Sequence, residues 1–233
     1  MNDIYNDNTY LQNNPDWHSE DAPFKAKKIL DILHQSPMQF DTVCDIGCGS
    51  GEILVQLAHK MPGNIQMTGL DIAAPAIAMA KHKETETLKF ECKNIADVDT
   101  TFDLLLVMDV VEHLTDYFKF LDDITYKGKY TIFHIPLDMC VWSLFREQML
   151  IESKQRVGHI HNFTEDFIKD ILKDYGFTIK AQAYTEPSFE NMTGKQKIVN
   201  TIRKAIFAIN KRLSSKLLGG YSILILAENP VKK

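Results

Sequence analysis

A glycine-rich turn between a short apolar run and a helical pattern constrains this chain more than any other feature. Residues 43–52 read VCDIGCGSGE, in which Asp45 closes the apolar run and Gly47, Gly49 and Gly51 follow at every second position. Glycine lets the backbone turn sharply and approach a ligand closely, because it has no Cβ. The next helix directs its free N–H groups and the positive end of its dipole at this turn. The segment therefore predicts a site for a nucleoside-like cofactor that carries an anionic group.

The glycine spacing distinguishes between cofactor classes. Dinucleotide-binding turns read G-x-G-x-x-G, whereas here the third glycine comes one residue earlier and Asp45 lies two positions before the first. The pattern D-x-G-x-G-x-G resembles motif I of the class I S-adenosylmethionine-dependent methyltransferases. This resemblance implies that the turn, including Cys48, holds the methionine end of that cofactor. It makes an NAD-linked oxidoreductase the poorer interpretation.

A second acidic residue follows the glycines. The next predicted strand ends in Asp71, about twenty residues further on, where a carboxylate can accept both ribose hydroxyls of a bound nucleoside. Alternatively, Asp71 only caps the next helix, whose first turn is Ile72–Pro75. Because the glycines are nearby, we favour cofactor binding for Asp71 and its neighbour Ile72.

Composition limits the remaining possibilities. A chain of 233 residues, 45% hydrophobic and 24% charged, suits one globular domain, and a net charge of −5 argues against a general nucleic-acid binder. With no apolar signal-peptide core and no paired zinc spacing among four cysteines, we expect a cytoplasmic protein with reduced thiols. We expect a single methyltransferase domain over 1–233. It divides into an arm or lid (1–20), a core (21–184 and 221–233) and a basic amphipathic helical insertion (185–220).

Predicted strands and helices alternate along the chain, which implies a doubly wound, mostly parallel α/β sheet. The resemblance implies a Rossmann-like seven-stranded sheet, with the seventh strand antiparallel beside the fifth. The predicted strands are Thr42–Ile46, Ile65–Asp71, Leu88–Cys92, Asp103–Met108, Tyr130–Ile135, Phe177–Ala183 and Tyr221–Ala227. The predicted helices are 21–35, Gly51–Met61, Ala74–His82, Val110–Tyr126, Asp138–Ser153 and Glu165–Tyr175.

The resemblance extends beyond the glycine turn. Residues 90–95 are similar to the family's third-strand end, which implies that Asn94 meets the adenine and Ile95 packs on its ring, although the family more often has Asp at that first position. Met108–Leu114 resembles the fourth-strand segment of small-molecule methyltransferases and ends in the Glu-His-Leu of ubiquinone-biosynthesis O-methyltransferases. It implies cofactor contacts at Met108 and Asp109 and a small-molecule acceptor methylated at oxygen.

Two histidines lie in a loop that precedes a predicted helix. The loop reads GHIHNFT and contains His159 and His161. In a sheet of this order it overhangs the carboxyl ends of the strands, where ligands bind. We expect one of these histidines to act as a catalytic base or a substrate ligand. Alternatively, one of them only fixes the loop against the sheet through a backbone hydrogen bond.

A second polar group consists of Asp109, Glu112 and His113. Their i, i+3, i+4 spacing predicts one helical face, on which they could bind a divalent cation and a catechol-like substrate. We favour a simpler interpretation, in which Asp109 lies beside the cofactor, Glu112 accepts helix N-terminal N–H groups and His113 packs near the substrate. No obligatory metal is therefore expected.

The amino-terminal arm contains Tyr10, Trp17 and His18, a mixture that suits a lid over the cofactor or substrate. In the alternative interpretation, Trp17 only anchors the arm to the domain surface.

Residues 191–220 contain seven Lys or Arg residues and no acidic residue, and apolar residues recur there at helical spacing. Such a helix suits peripheral membrane contact through 195–218 and a lipid-linked acceptor. We favour instead a helix packed on its own domain, which would bury Ile202, Ile206 and Leu213. The apolar positions are Ile198, Ile202, Ile206, Ile209, Leu213 and Leu217.

Two classes of function are compatible with these features. The first is a methyltransferase acting on a small molecule, and the second is a non-catalytic, cofactor-sensing or partner-binding protein on the same scaffold. The intact Asp45, glycines and Asp71 favour a working cofactor site. The sequence does not identify the acceptor.

Overall fold

Seven strands form the sheet of this protein, whose computed structural model describes residues 17, 19–186, 201, 204 and 206–231. The strands are β1 (Thr42–Ile46), β2 (Gln66–Asp71), β3 (Leu88–Cys92), β4 (Phe102–Met108), β5 (Gly128–Pro136), β6 (Thr178–Thr185) and β7 (Ser222–Glu228). They lie in the order β3-β2-β1-β4-β5-β7-β6, and β7 is antiparallel to both neighbours while the other pairs are parallel. The predicted fold class is confirmed.

Helices cover the sheet. They are α1 (Ala22–Gln35), α2 (Glu52–Ala58), α3 (Ala74–Lys81), α4 (Tyr117–Thr125), α5 (Val141–Leu144), α6 (Gln148–Val157), α7 (Glu165–Asp174) and α8 (Lys211–Leu218). Short 3₁₀ turns occupy Ser19–Asp21, Ile95–Asp97 and Val111–His113. Among the described residues, no helix combines the length and apolar character needed to cross a bilayer.

The central strands are buried on both faces. Leu104 and Leu106 of β4 pack into one apolar layer, whereas Leu105 and Val107 pack into the other. Successive side chains of a strand point to opposite faces, so a strand covered on both sides is apolar at nearly every position. Strand order reverses between β1 and β4, which opens a ligand crevice at the carboxyl ends of these strands.

Two helices that the sequence predicts as continuous are each interrupted in the structure. The helix expected over Val110–Tyr126 begins as the 3₁₀ turn, breaks at Leu114 (ψ 131°) and restarts at Tyr117, because Asp116 caps α4 by accepting from the Lys119 N–H. Asp109, Glu112 and His113 therefore do not share an α-helical face. The helix expected over 138–153 is divided into α5 and α6, since a capping box at Cys140 and Ser143 begins α5 on its own.

The basic segment is described only in its second half, so Ile198 and Ile202 lie outside the described residues. Within α8, Ser214 and Ser215 are buried, whereas Leu213 is 47% exposed. Small serine side chains let this helix approach the domain closely and turn its apolar stripe outward. The expectation that Leu213 is buried is therefore wrong, and Ile206 is only half-buried.

Candidate active site

The glycine turn has the backbone shape that the sequence predicts. Gly47, Gly49 and Gly51 have φ values of 75°, 53° and 78°, in the left-handed region that favours glycine. A Cβ at Gly51 would lie 2.4 Å from Cε1 of Phe90, and one at Gly47 would lie 2.7 Å from Cγ2 of Val110. At Gly47 and Gly51 the turn therefore has room for glycine alone.

Asp71 joins this turn to the end of β2. Its Oδ2 accepts from the Gly49 N–H and its Oδ1 from the Ala73 N–H, both at 2.8 Å. The contact with Ala73 is a turn hydrogen bond before α3, which has no side-chain cap, so Asp71 does not cap that helix. The other oxygen shapes the glycine turn. Each carboxylate oxygen has a further lone pair for a ribose hydroxyl. Burial raises the pKa of Asp71, and the adjacent Ile72 is an exposed apolar residue at the mouth of the crevice.

Asp45 lies buried beneath the turn. Neither of its carboxylate oxygens has a hydrogen-bond partner among the described residues. Burial, together with the charge of Asp71, raises the pKa of Asp45 to about 8, against the opposing effect of Lys25. A buried carboxylate with no partner requires an explanation. Together with the glycine turn and Asp71, it fits a cofactor whose methionine end carries an ammonium group.

The two residues predicted to meet the adenine, Asn94 and Ile95, already have partners within the protein. Asn94 accepts from the Ala96 N–H through its side-chain oxygen at 3.0 Å and thereby begins a 3₁₀ turn, while Ile95 is buried in the core. Cys48 and Met108 are also buried, one in the turn and one at the end of β4. Cofactor contacts at these four positions stay predictions.

Asp109 follows β4 in a left-handed conformation, with φ 57°. Its carboxylate pairs with Nζ of Lys25 at 2.7 Å and with Nδ1 of His134 at 2.6 Å, and Nε2 of His134 lies 2.7 Å from Oγ1 of Thr185. Although burial opposes the shift, His134 and Lys25 hold the pKa of Asp109 well below its usual range. Asp109 is therefore the centre of a half-buried ion cluster beside the predicted cofactor site.

Sequence reasoning missed the partners in this cluster, although a signal was present. Lys25 lies three residues after Ala22 and four before Ile29, on the buried stripe of α1. A lysine on such a stripe needs a buried partner. His134 likewise interrupts the otherwise apolar centre of β5.

The histidine loop is fastened to the turn after β4. The N–H groups of Ile160 and His161 donate to the Glu112 carbonyl oxygen at 3.0 and 3.1 Å. Nδ1 of His159 lies 2.7 Å from Oδ2 of Asp138, a residue that sequence reasoning also missed. The His161 ring packs edge-on against Tyr117, and its buried Nε2 has no hydrogen-bond partner in the described part of the chain. The two histidines therefore differ in their hydrogen bonding: His159 has a carboxylate partner, whereas Nε2 of His161 has no partner in the described part of the chain.

Glu112 is fully buried, and its carboxylate oxygens have no hydrogen-bond partner of good geometry among the described residues. The expected contact with helix N-terminal N–H groups is therefore not formed there. Burial and the neighbouring Asp109 raise the pKa of Glu112 well above its ordinary value. One ligand atom from each of Glu112, His113 and His159 lies within 4.8 Å of the others, and the two histidine rings are edge-to-face at 4.9 Å.

Trp17 lies over the glycine turn. Its backbone has φ 48°, and a Cβ built at Gly49 would be 3.7 Å from Cε3 of its half-buried ring. This position is compatible with both a lid and an anchor, so the lid stays a prediction. Tyr10 and His18 lie outside the described residues.

Comparison with known proteins identifies the family. A family model described as a methyltransferase domain matches residues 17–182. The chain belongs to this family. It is an S-adenosylmethionine-dependent methyltransferase, as the glycine turn predicted.

The relatives of this methyltransferase are named for different activities. It is 22% identical over 195 residues to carboxy-S-adenosyl-L-methionine synthase of Helicobacter pylori strain P12, covering 77% of this chain and 79% of that protein. It is 40% identical over 83 residues to ubiquinone biosynthesis O-methyltransferase of Nitrobacter winogradskyi, covering 34% and 31%. The latter match spans less than a third of that relative.

A solved structure shares the fold of this methyltransferase. Magnesium protoporphyrin IX methyltransferase from Synechocystis PCC 6803, with bound SAH, superposes with a TM-score of 0.61 at 17% identity. The match covers 89% of this chain and 83% of that one.

Proposed function

We propose that this methyltransferase transfers a methyl group to a hydroxyl oxygen of a small molecule bound at the carboxyl ends of β4 and β5. One observation carries the proposal: the glycine turn lies beside the histidine cluster, the group formed by Glu112, His113 and His159. The turn follows β1, and Glu112 and His113 follow the adjacent parallel strand β4, at the same edge of the sheet. Val110 lies between Asp109 and the cluster and packs against Gly47, so a cofactor on the turn and an acceptor at the cluster would be neighbours.

S-adenosylmethionine supplies a methyl group already activated on a sulfonium. The protein must hold the acceptor in line with the methyl carbon, exclude water and take up one proton, and positioning alone contributes about 7–11 kcal/mol. As the acceptor oxygen bonds the methyl carbon, the S–C electron pair stays on sulfur and the hydroxyl proton passes to His159 or His161. Asp138 holds the His159 ring through Nδ1 and so fixes the orientation of the ring.

Isotope transfer from methyl-labelled cofactor tests the reaction against phenol, sugar hydroxyl, carboxylic acid and amine acceptors. We expect transfer to a hydroxyl, with the rate constant lowered about 10²–10⁴-fold in the variant that lacks the proton acceptor, His159→Gln or His161→Gln. The matched control is His82→Gln, an exposed histidine at the end of α3. Transfer to an amine would contradict O-methylation. Cofactor binding without transfer to any acceptor would favour the non-catalytic alternative.

A second candidate acceptor is a lipid-linked molecule at an anionic membrane surface. The supporting observation is a set of exposed apolar side chains, called the patch here, on and beside α5 and α8, two helices that pack against each other. Within it, Leu144 is 60%, Phe145 81% and Ile209 88% exposed. Monomeric soluble proteins rarely expose large contiguous apolar surfaces. Basic side chains adjoin the patch, with Arg146 over the Trp142 ring, so its chemistry matches a lipid surface better than a neutral protein partner.

Sedimentation with vesicles separates these cases. We expect the protein to pellet with vesicles that contain anionic phosphatidylglycerol at low salt, and to be released by high salt. Phe145→Ser combined with Ile209→Ser should abolish pelleting. The control is Val231→Ser, an equally exposed residue that follows β7 at the opposite edge of the sheet. Absence of pelleting, or dimerisation that the double variant prevents, would contradict membrane contact.

A further inference from the structure

We propose that Glu112, His113 and His159 form a binding site for one divalent transition-metal cation at the acceptor end of the crevice. This inference revises the expectation from sequence, which set metal binding aside and grouped Asp109 with Glu112 and His113. The fold replaces one member of that group. Asp109 turns away to Lys25 and His134, whereas the loop after α6 brings in His159.

The first supporting observation is the Glu112 carboxylate. It is fully buried, and both of its oxygens lack a hydrogen-bond partner of good geometry among the described residues. Buried polar groups in folded proteins are almost always satisfied by protein, water or an ion. Here the carboxylate lies beside two imidazoles, with its Oε1 4.0 Å from Nε2 of His113. A cation bound between them would supply the missing partner.

The second observation is the hydrogen bond between His159 and Asp138. Its Nδ1 is engaged by Asp138 at 2.7 Å, which leaves Nε2 as the nitrogen able to bind an ion. Metal-binding histidines almost always donate their other ring N–H to a carboxylate or carbonyl, which fixes the tautomer and the ring orientation. The hydrogen bonds from Ile160 and His161 to the Glu112 carbonyl oxygen hold the loop against the second ligand-bearing segment.

The geometry of the three groups is close to that of a filled site. Their ligand atoms lie within 4.8 Å of one another, whereas ligands about 2.0–2.1 Å from a tetrahedral zinc are roughly 3.3 Å apart. Small side-chain rotations close this difference. Two imidazoles and one carboxylate suit zinc, manganese or iron better than calcium or magnesium, which prefer oxygen ligands.

Three protein ligands leave an open coordination position, as in catalytic rather than structural sites. This role rests on the proposed function: the acceptor hydroxyl oxygen would occupy that position, and the cation would lower the hydroxyl pKa. With His159 committed to the ion, the hydroxyl proton passes to His161. The methyl carbon then bonds the acceptor oxygen as its bond to sulfur breaks.

Calorimetric titration with Zn²⁺ and visible absorption with Co²⁺ test the site. The full chain is used, without a histidine tag and stripped of metal with EDTA. We expect one equivalent to bind, at least 100-fold more weakly in Glu112→Gln and His159→Gln, and about 10–100-fold more weakly in Asp138→Asn. His82→Gln, which removes an exposed histidine elsewhere, should bind as the wild type does.

Binding that is absent, or that Glu112→Gln and His159→Gln leave unchanged, would overturn the proposal. Thermal unfolding gives a readout independent of activity: Zn²⁺ should raise the Tm of the wild type but not that of His159→Gln, whose loop position makes it the variant least prone to misfolding. S-adenosylmethionine binding measured in EDTA keeps the two proposals distinct. If the cofactor binds while the metal does not, the metal site fails and the cofactor site on which the proposed function depends is intact.

Discussion

The two ends of the crevice are built in different ways. At the cofactor end, after β1 and β2, the site consists mainly of backbone: three glycines in left-handed conformations, with the Gly49 N–H donating to Asp71. At the acceptor end, after β4 and β5, the site consists of side chains. Asp109 is held by Lys25 of α1 and His134 of β5, and the histidine loop contributes from a fourth segment.

This difference follows from what each ligand requires. A cofactor common to many enzymes can be held by backbone shape, which tolerates changes in most side chains. An acceptor must be distinguished by its functional groups, which requires charged and polar side chains at particular distances. The cofactor end should therefore be sensitive to added volume and the acceptor end to lost charge.

The largest effect should come from adding one methyl group to the cofactor end. Gly51→Ala places a Cβ 2.4 Å from Phe90 in a backbone with φ 78°. Left-handed strain of about 1–2 kcal/mol and overpacking of about 1–3 kcal/mol should together destabilise the protein by about 2–5 kcal/mol. Calorimetry should detect no cofactor binding. Gly63→Ala, where a Cβ meets nothing within 4 Å, is the control, and equal behaviour of the two variants would remove the steric argument.

At the acceptor end, the corresponding change is the loss of a charge. Asp109→Ala leaves the Lys25 ammonium, whose side chain is 17% exposed, without its carboxylate. Removing one partner of a buried pair lowers the free energy of unfolding by about 3–5 kcal/mol. Because this pair is partly exposed, we expect a loss at the lower end, about 3 kcal/mol. Urea unfolding measures this loss. Asp109→Asn keeps the shape and tolerates φ 57°, so it isolates the contribution of charge. A loss below about 1 kcal/mol would mean that solvent screens the cluster.

A smaller effect is expected from Asp71, the carboxylate that joins the glycine turn to the end of β2. Asp71→Ala removes a carboxylate that accepts from Gly49 and is predicted to accept the ribose hydroxyls. Losing such a hydrogen bond costs about 1.5–3 kcal/mol, or roughly 10- to 150-fold in S-adenosylmethionine affinity. Calorimetry on the folded variant measures the change. Unchanged affinity would show that backbone alone holds the cofactor.

The same contrast explains which parts of the fold and the site could be predicted from the sequence. The glycine turn, Asp71 and most strand bounds are local patterns, so adjacent residues predict them. The acceptor end joins Lys25, Asp109, His134 and Asp138 across more than a hundred positions, and only folding brings them together. The local pattern of the acceptor end was also misleading. It predicted a helix beginning at Val110, whereas Asp116 caps a helix that begins seven residues later, at Tyr117.

The last expected effect, at most about 1.4 kcal/mol for each pH unit, concerns Asp45, the buried carboxyl group at the cofactor end. Its pKa is raised to about 8 in the folded protein, chiefly by burial and then by Asp71. Below about pH 4, both the folded and the unfolded chain hold this proton. Between that pH and about 8, the unfolded chain has lost the proton while the folded chain keeps it.

The free energy of unfolding should therefore fall as the pH rises through this window, by at most about 1.4 kcal/mol per pH unit from this group. Asp45→Asn has the same shape but cannot titrate, so the difference between wild type and variant isolates Asp45 from other groups. Urea unfolding at several pH values between 5 and 8 measures it. A difference that does not change with pH would mean that Lys25 keeps Asp45 ionised. The ion cluster of the acceptor end would then extend beneath the glycine turn, and the two ends would form one electrostatic unit.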